Sequence, residues 1–202
     1  AGFNVIAASD HDKYVAESHK LNFPDIPFVR GDIKNENIKK EIIEAIGNKK
    51  VDVLVGGPPC QGFSIFGKRR FIKNEEIPKE HDPRNDLVYS FFEMVEMISP
   101  EWVIMENVPG ILSSKVNGQY MFPKILEDLE SLGYDLLSLK EDSQRDLFSV
   151  TRDFKLRASD YGVPQDRERV IILGVRKDLN VNENIFLKKA DEFNSVRSVI
   201  SD

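Results

Sequence analysis

The only cysteine of the chain, Cys60, lies in a stretch of sequence that favours a positioned nucleophile. It follows Gly57-Pro58-Pro59 and precedes Gln61-Gly62-Phe63-Ser64. The prolines fix φ and prevent a helix directly before the cysteine, and the glycines allow close backbone approach. A lone cysteine is more often a small buried hydrophobe, but a core strand would not tolerate these flanking residues. The pattern therefore favours a reactive thiol at the end of a strand.

Glu106 ends the apolar run 102–105 and is a second candidate for chemistry. At the end of a buried strand its carboxyl would be partly removed from water, which favours the protonated form. Such a carboxyl can act as a general acid, and we expect Asn107 to orient it. The residue alone leaves open an ordinary helix-capping or surface glutamate.

Two arginines, Arg167 and Arg169, precede the apolar run 170–173. If this segment is extended, their i, i+2 spacing places both guanidinium groups on one face. Paired guanidinium groups suit phosphate and carbonyl oxygens. The alternative is a pair of solvent-exposed salt bridges with Asp166 and Glu168.

A basic run lies shortly after Cys60, since residues 67–73 contain Lys68, Arg69, Arg70 and Lys73 and no acidic residue. It opens a long polar stretch, 67–85, which is longer than most loops of compact domains and predicts a functional lid or a mobile segment. Basic side chains beside a reactive cysteine fit contact with a phosphate backbone. A solvated charged surface is the alternative.

The elements that must position these residues alternate between short apolar strands and amphipathic helices. We predict strands at residues 5–8, 28–29, 51–55, 102–105, 134–139 and 170–175. We predict helices around residues 14–21, 37–46, 87–98 and 122–132, the first capped by Ser9 or Asp10. This alternation predicts an α/β fold with a mostly parallel sheet flanked by helices. Ligands bind beyond the carboxyl ends of such strands, where Asp10, Asp32, Cys60 and Glu106 all fall.

Composition excludes several classes of protein. The chain has 202 residues with 34 acidic and 28 basic side chains, a net charge of −6, which argues against coating nucleic acid through net charge. No apolar run approaches the roughly 18 residues of a membrane span. One cysteine excludes an internal disulfide framework and a cysteine-rich zinc site. Without a signal peptide, we expect a cytoplasmic protein.

In combination, these residues resemble the DNA (cytosine-5) methyltransferases. Residues 57–64 resemble the catalytic-cysteine loop of that family, Glu106-Asn107-Val108 its catalytic-glutamate motif, and residues 165–169 its Gln-x-Arg-x-Arg motif. The resemblance implies a Rossmann-like methyltransferase fold that uses S-adenosylmethionine and releases S-adenosylhomocysteine. It further implies that Cys60 adds to C6 of a cytosine flipped out of duplex DNA, that Glu106 contacts N3, and that Arg169 holds O2. Arg167 joins the catalytic group because a cation beside the thiol favours the thiolate.

The resemblance also implies binding residues for cofactor and DNA. Asp10 matches the residue that binds the ribose hydroxyls, and His11 the neighbour that stacks on adenine. Asp32-Ile33 matches the adenine-contacting pair, Asp86-Leu87 lines the methionine end, and Pro58 is assigned to the same cofactor site. For Asp10 and Asp32, strand-end capping is the alternative. The DNA contacts are assigned to Ser64, Lys68, Arg69, Arg70 and Gln165.

The resemblance covers the central part of a catalytic domain. The Phe-x-Gly-x-Gly loop and first strand are expected before Ala1, and a target-recognition region after Asp202. We therefore interpret residues 1–190 as a partial methyltransferase domain and 191–202 as the lead-in to that region. A bacterial restriction-modification enzyme, with a cognate endonuclease as partner, is the main hypothesis. The alternatives are a tRNA cytosine-5 methyltransferase and a non-catalytic or split fragment that needs a complementary methyltransferase chain.

Overall fold

The structure is a computed structural model that describes residues 2–59, 86–116, 119–140, 153–181, 185–192 and 195–200. The predicted nucleophile Cys60 and four predicted DNA contacts, Ser64, Lys68, Arg69 and Arg70, lie outside the described residues. The remaining predicted site residues lie within them. No helix of the described part is long and apolar enough to cross a membrane.

The chain alternates strands and helices, as the sequence predicts. The strands are β1 (Ala8–Asp10), β2 (Phe28–Arg30), β3 (Val53–Gly56), β4 (Trp102–Asn107), β5 (Lys115–Val116), β6 (Gln119–Tyr120), β7 (Tyr134–Leu137), β8 (Lys155–Arg157) and β9 (Glu168–Arg176). The α-helices are α1 (Lys13–Asn22), α2 (Glu36–Ile46), α3 (Asp86–Ile98), α4 (Met121–Ser131) and α5 (Arg197–Ile200). Short 3-10 helices occur at Pro109–Ser113, Ala158–Tyr161 and Lys177–Leu179.

The main sheet has five strands in the order β3-β4-β9-β7, with β8 also paired to β9. β3 and β4 are parallel, whereas β9 is antiparallel to β4, β7 and β8. In the described sheet, four strands therefore share one direction and β9 runs against them. β1 and β2 form a separate parallel pair. The reversal of β9 brings its first residues to the carboxyl end of β4.

Two apolar clusters hold these elements together. In the larger one, α3 and α4 pack on the main sheet, with Phe122, Ile125 and Leu129 of α4 buried in the same cluster as Met105 of β4 and Ile172 of β9. The smaller one joins α2 and β2 to α3 through Val29, Ile42, Ile46 and Met94. Burial of these helix faces is the main stabilising contribution.

The first strand and helix differ from the sequence prediction. The strand predicted at 5–8 lies at Ala8–Asp10. The N-cap of α1 is Asp12, not Ser9 or Asp10, because its carboxylate accepts hydrogen bonds from the backbone N–H groups of Tyr14 and Val15. The helix buries no residue among those described, and Leu21 is 84% exposed. Periodicity identifies an apolar face, but it does not say whether another element covers that face.

Candidate active site

An ion pair between Glu106 and Arg169 lies where β4 ends and β9 begins. In the antiparallel register, Glu106 is opposite Ile171 and Asn107 is opposite Val170, so Arg169 is close to the glutamate. The Arg169 Nε atom lies 2.5 Å from Glu106 Oε1. The arginine side chain is 22% exposed and the glutamate 43% exposed. Both groups are thus reachable from solvent while their mutual orientation is restricted.

The guanidinium group of Arg169 has two contacts among the described residues, the ion pair at Nε and a hydrogen bond at Nη1. Its Nη1 atom donates a hydrogen bond of 2.7 Å to the Glu168 carbonyl. The Nε atom is buried and makes no well-aligned hydrogen bond to any described residue. The contact with Glu106 is therefore described as a short ion pair. A ligand with a carbonyl oxygen next to a ring nitrogen could engage both charged groups.

A glycine, Gly57, allows the chain after β3 to pass close to Glu106. A Cβ atom at Gly57 would lie 3.2 Å from Glu106 Oε2, which is closer than ordinary van der Waals contact. The preceding Gly56 faces the core, where a Cβ would lie 2.4 Å from the Phe91 ring. The two glycines therefore admit the carboxylate on one side and the helix α3 on the other. The sequence shows the glycines but not which group occupies the space beside each of them.

Asn107 does not make the contact that the sequence predicts. We expected its side chain to orient Glu106, but it is 4% exposed and its Nδ2 atom donates a hydrogen bond of 3.2 Å to the Pro58 carbonyl. Its Oδ1 atom accepts from the Val108 backbone N–H at 2.9 Å. Asn107 therefore connects the end of β4 to the segment after β3, a long-range contact that a three-residue motif cannot reveal.

Arg167 lies outside the regular strand, so the i, i+2 expectation does not hold for it. β9 begins at Glu168, and the Arg167 N–H donates to the Gln165 carbonyl at 3.0 Å within a turn. Both Arg167 and Gln165 are exposed.

The acidic neighbours of Arg167 have partners on β8. Arg157 lies 3.5 Å from Asp166 and 3.5 Å from Glu168, and Lys155 lies 3.0 Å from Glu168. Asp166 and Glu168 were the alternative salt-bridge partners of Arg167 and Arg169. In the structure they form ion pairs with Arg157 and Lys155 instead.

The residues predicted to hold a cofactor fall at the carboxyl ends of the β1–β2 pair. Asp10 ends β1, its Oδ1 atom accepts from the Asp12 N–H at 2.9 Å, and it lies 3.2 Å from His11 Nδ1. Asp32 follows β2 and accepts from the Lys34 N–H at 3.0 Å. These are local capping contacts, but a carboxylate has about four acceptor positions. Each carboxylate therefore keeps acceptor positions beyond its local hydrogen bond.

Three further residues predicted for the cofactor lie after β2, after β3 and in α3. Ile33 follows Asp32 and packs on the smaller apolar cluster. Leu87 lies in the first turn of α3 and is half-buried, as is Pro58 after β3. The structure thus places all of these residues at or just after strand ends, or at the start of α3.

Comparison with known proteins gives a consistent result. The sequence matches the C-5 cytosine-specific DNA methylase family over residues 1–202. It is 35% identical over 183 residues to the Type II methyltransferase M.XorII of Xanthomonas oryzae, which covers 89% of this chain and 37% of that protein. It is 32% identical over 210 residues to the Type II methyltransferase M.DdeI of Desulfomicrobium norvegicum, covering 100% of this chain and 43% of that protein.

Solved structures share the fold. A protein described as a DNA modification methyltransferase encoded within an E. coli prophage superposes with a TM-score of 0.70 at 29% identity, over 99% of this chain and 49% of that one. A Spodoptera frugiperda DNMT2 structure, at 20% identity and a TM-score of 0.60, has the same fold. The chain spans about two fifths of the length of the two Type II relatives. From the family match over its whole length, the chain belongs to the C-5 cytosine-specific DNA methylases.

Proposed function

We propose that this protein is a DNA (cytosine-5) methyltransferase of the restriction-modification type that transfers methyl from S-adenosylmethionine to duplex DNA. The observation that carries the proposal is the Glu106–Arg169 ion pair at the carboxyl end of β4, beside the segment that leads into Cys60. Family membership and the Type II relatives support it.

The chemistry begins with Cys60. C5 of cytosine is a poor nucleophile, and addition of the thiolate to C6 forms an S–C6 bond that places electron density on C5. S-adenosylmethionine supplies, when bound, the electrophilic methyl group for C5. Loss of the C5 proton to a base then lets the ring expel the Cys60 thiolate, which restores the aromatic system. Before this addition, the target cytosine must leave the duplex stack, at a cost of a few kcal/mol.

Glu106 and Arg169 match one edge of the cytosine ring. N3 and the exocyclic O2 are neighbours on that ring, and the carboxyl and guanidinium groups lie 2.5 Å apart. Glu106 would hold or donate the proton at N3, while Arg169 donates to O2. Charge that develops on the ring as the thiolate adds is then stabilised by groups already in place.

The remaining assignments follow the same proposal. Asp10, His11, Asp32, Ile33, Pro58 and Leu87 would hold the methyl donor and its product S-adenosylhomocysteine. Ser64, Lys68, Arg69, Arg70 and Gln165 would contact DNA, and Arg167 would favour the thiolate of Cys60. Residues 1–190 would form part of the catalytic domain, and 191–202 would lead into target recognition, with a cognate endonuclease as a separate partner.

A methyl-transfer assay on the full-length protein tests this function. With isotopically labelled S-adenosylmethionine, we expect label in duplex DNA as 5-methylcytosine, and none in tRNA. Cys60→Ser should reduce transfer to the level without enzyme, because serine is not acidic enough to add to C6. Transfer that is undiminished in Cys60→Ser contradicts the proposed mechanism, and label in tRNA alone contradicts the proposed substrate.

A further inference from the structure

Asn107 has no part in the chemistry described above, yet its side chain is one of the few polar groups that the described structure buries. It makes two hydrogen bonds in different directions, accepting from the adjacent Val108 N–H and donating to the distant Pro58 carbonyl. The first contact shapes the local chain after β4. The second connects β4 to the residues that precede Cys60 in sequence.

The Pro58 carbonyl is a well-placed anchor for that segment. Pro58 and Pro59 have no backbone N–H, so this stretch can be held through its backbone only by its carbonyl groups. The pyrrolidine rings also fix φ at both positions, which makes the dipeptide stiff. A constraint applied at the Pro58 carbonyl is therefore transmitted along a chain with few free dihedrals to the residue that follows.

We propose that Asn107 is a positioning residue that fixes the course of the chain into Cys60 by donating its Nδ2 hydrogen bond to the Pro58 carbonyl. The proposal rests on the proposed function, because it assigns Asn107 to the thiolate addition made by Cys60. Asn107 touches neither substrate nor cofactor in this role. Its hydrogen bond sets the direction from which the Cys60 thiolate approaches C6, and the rate of addition depends strongly on that direction.

Asn107→Asp separates the two hydrogen bonds. Aspartate keeps the size of the side chain and the acceptor for the Val108 N–H, but its carboxylate repels the Pro58 carbonyl at neutral pH. We expect kcat of the full-length protein to fall by about 10- to 100-fold, while KM for DNA changes by less than about threefold. Because burial favours the neutral carboxyl, which can donate again, activity relative to the unsubstituted protein should rise as the pH is lowered from about 8 to about 6.

Asn180→Asp is the matched control. Asn180 also donates from Nδ2 to a backbone carbonyl, that of Asp178, at 3.1 Å, but it lies beyond the far end of β9. This variant carries the same change of charge and should keep kcat and its pH profile. Circular dichroism and thermal unfolding establish that each variant is folded, and Asn107→Ala, which adds no charge, replaces Asn107→Asp if the latter is unfolded.

The outcomes separate this proposal from the proposed function. The positioning role alone is overturned if the unsubstituted protein is active and Asn107→Asp is equally active. It is also overturned if the activity that Asn107→Asp loses does not recover at lower pH. If neither Asn107→Asp nor Asn107→Ala folds, Asn107 is structural and the proposal is wrong. If the unsubstituted protein methylates neither DNA nor tRNA, the proposed function fails and the role of Asn107 falls with it.

Discussion

Two adjacent glycines at the end of β3 face different surroundings, although their sequence context is nearly the same. Gly56 lies against the ring of Phe91 in the larger apolar cluster, and Gly57 lies against the carboxylate of Glu106. The first contact concerns stability, since a buried ring cannot move without disturbing the core. The second concerns the site, since a carboxylate that is 43% exposed can move, but only out of its pairing geometry.

Alanine substitution should therefore affect stability at Gly56 and catalysis at Gly57. Gly56→Ala forces the Phe91 ring to shift and should lower the free energy of unfolding by about 1–3 kcal/mol. Gly57→Ala displaces Glu106 by a few tenths of an ångström and should lower kcat about tenfold with little loss of stability. Urea unfolding and methyl-transfer kinetics measure the two effects. Equal losses of stability would show that Gly57 is a packing residue too.

At the scale of elements, the short strand β8 is held to β9 by charge as well as by backbone pairing. Lys155, opposite Val170, lies 3.0 Å from Glu168, and Arg157 pairs with Glu168 in the register. The Lys155 hydrogen bond is the main reason that the pKa of Glu168 lies below its usual value near 4.5, and Arg157 acts in the same direction. This pairing holds the start of β9, where Arg167 and Arg169 flank Glu168.

The lowered pKa of Glu168 makes this contribution dependent on pH. The unfolded chain binds the proton more readily, so the stabilisation is complete above about pH 5 and is lost as the pH falls through the folded pKa, below 4.5. We expect Glu168→Gln to remove this part of the acid sensitivity in urea unfolding between about pH 5 and 3. Since the side chain is 35% exposed, the effect at neutral pH should be below about 1 kcal/mol.

Glu44→Gln, at an exposed position of α2, serves as the control and should leave the pH dependence unchanged. A Glu168→Gln protein with the same acid sensitivity as the unsubstituted one would mean that the ion pairs of β8 do not contribute to stability.

At the scale of the whole molecule, a buried lysine joins α2 to α3. The Lys39 side chain is 3% exposed and contacts Glu36 at 2.6 Å on its own helix and Glu93 on α3. Burial by itself lowers the pKa of Lys39, but the two carboxylates outweigh it and the pKa is raised. Together with the apolar cluster of Val29, Ile42 and Met94, this contact joins the β1–β2 pair and its helix α2 to α3.

Removing the lysine should cost less than removing its partners. Lys39→Met leaves two carboxylates that solvent already reaches, so we expect a loss below about 1 kcal/mol in the free energy of unfolding. The double variant Glu36→Gln/Glu93→Gln leaves a buried cation without a counter-charge and should cost about 3 kcal/mol or more. Urea unfolding of both proteins at pH 7 makes the comparison. The reverse order of stability would show that the lysine charge is well solvated.

Much of the fold and of the candidate site could be predicted from the sequence, because short-range patterns encode the helices and the strand ends. Apolar periodicity gave the helices α2, α3 and α4, and strand-end motifs placed Asp10, Asp32 and Glu106 at carboxyl ends. The cap of α1 was predicted wrongly at Ser9 or Asp10, since the choice of Asp12 depends on local geometry, and periodicity alone did not reveal that its apolar face stays exposed. The role of each candidate site residue stays a prediction.

The sequence by itself determined which chemical groups are present, their order along the chain, and the alternation that makes an α/β fold. Only the tertiary structure decided which groups meet. The reversed strand β9 brings Arg169 to Glu106, and the close approach of β3 and β4 brings Asn107 to Pro58. The physical reason is that strand order and direction are set by packing between residues far apart in sequence, which no local pattern specifies.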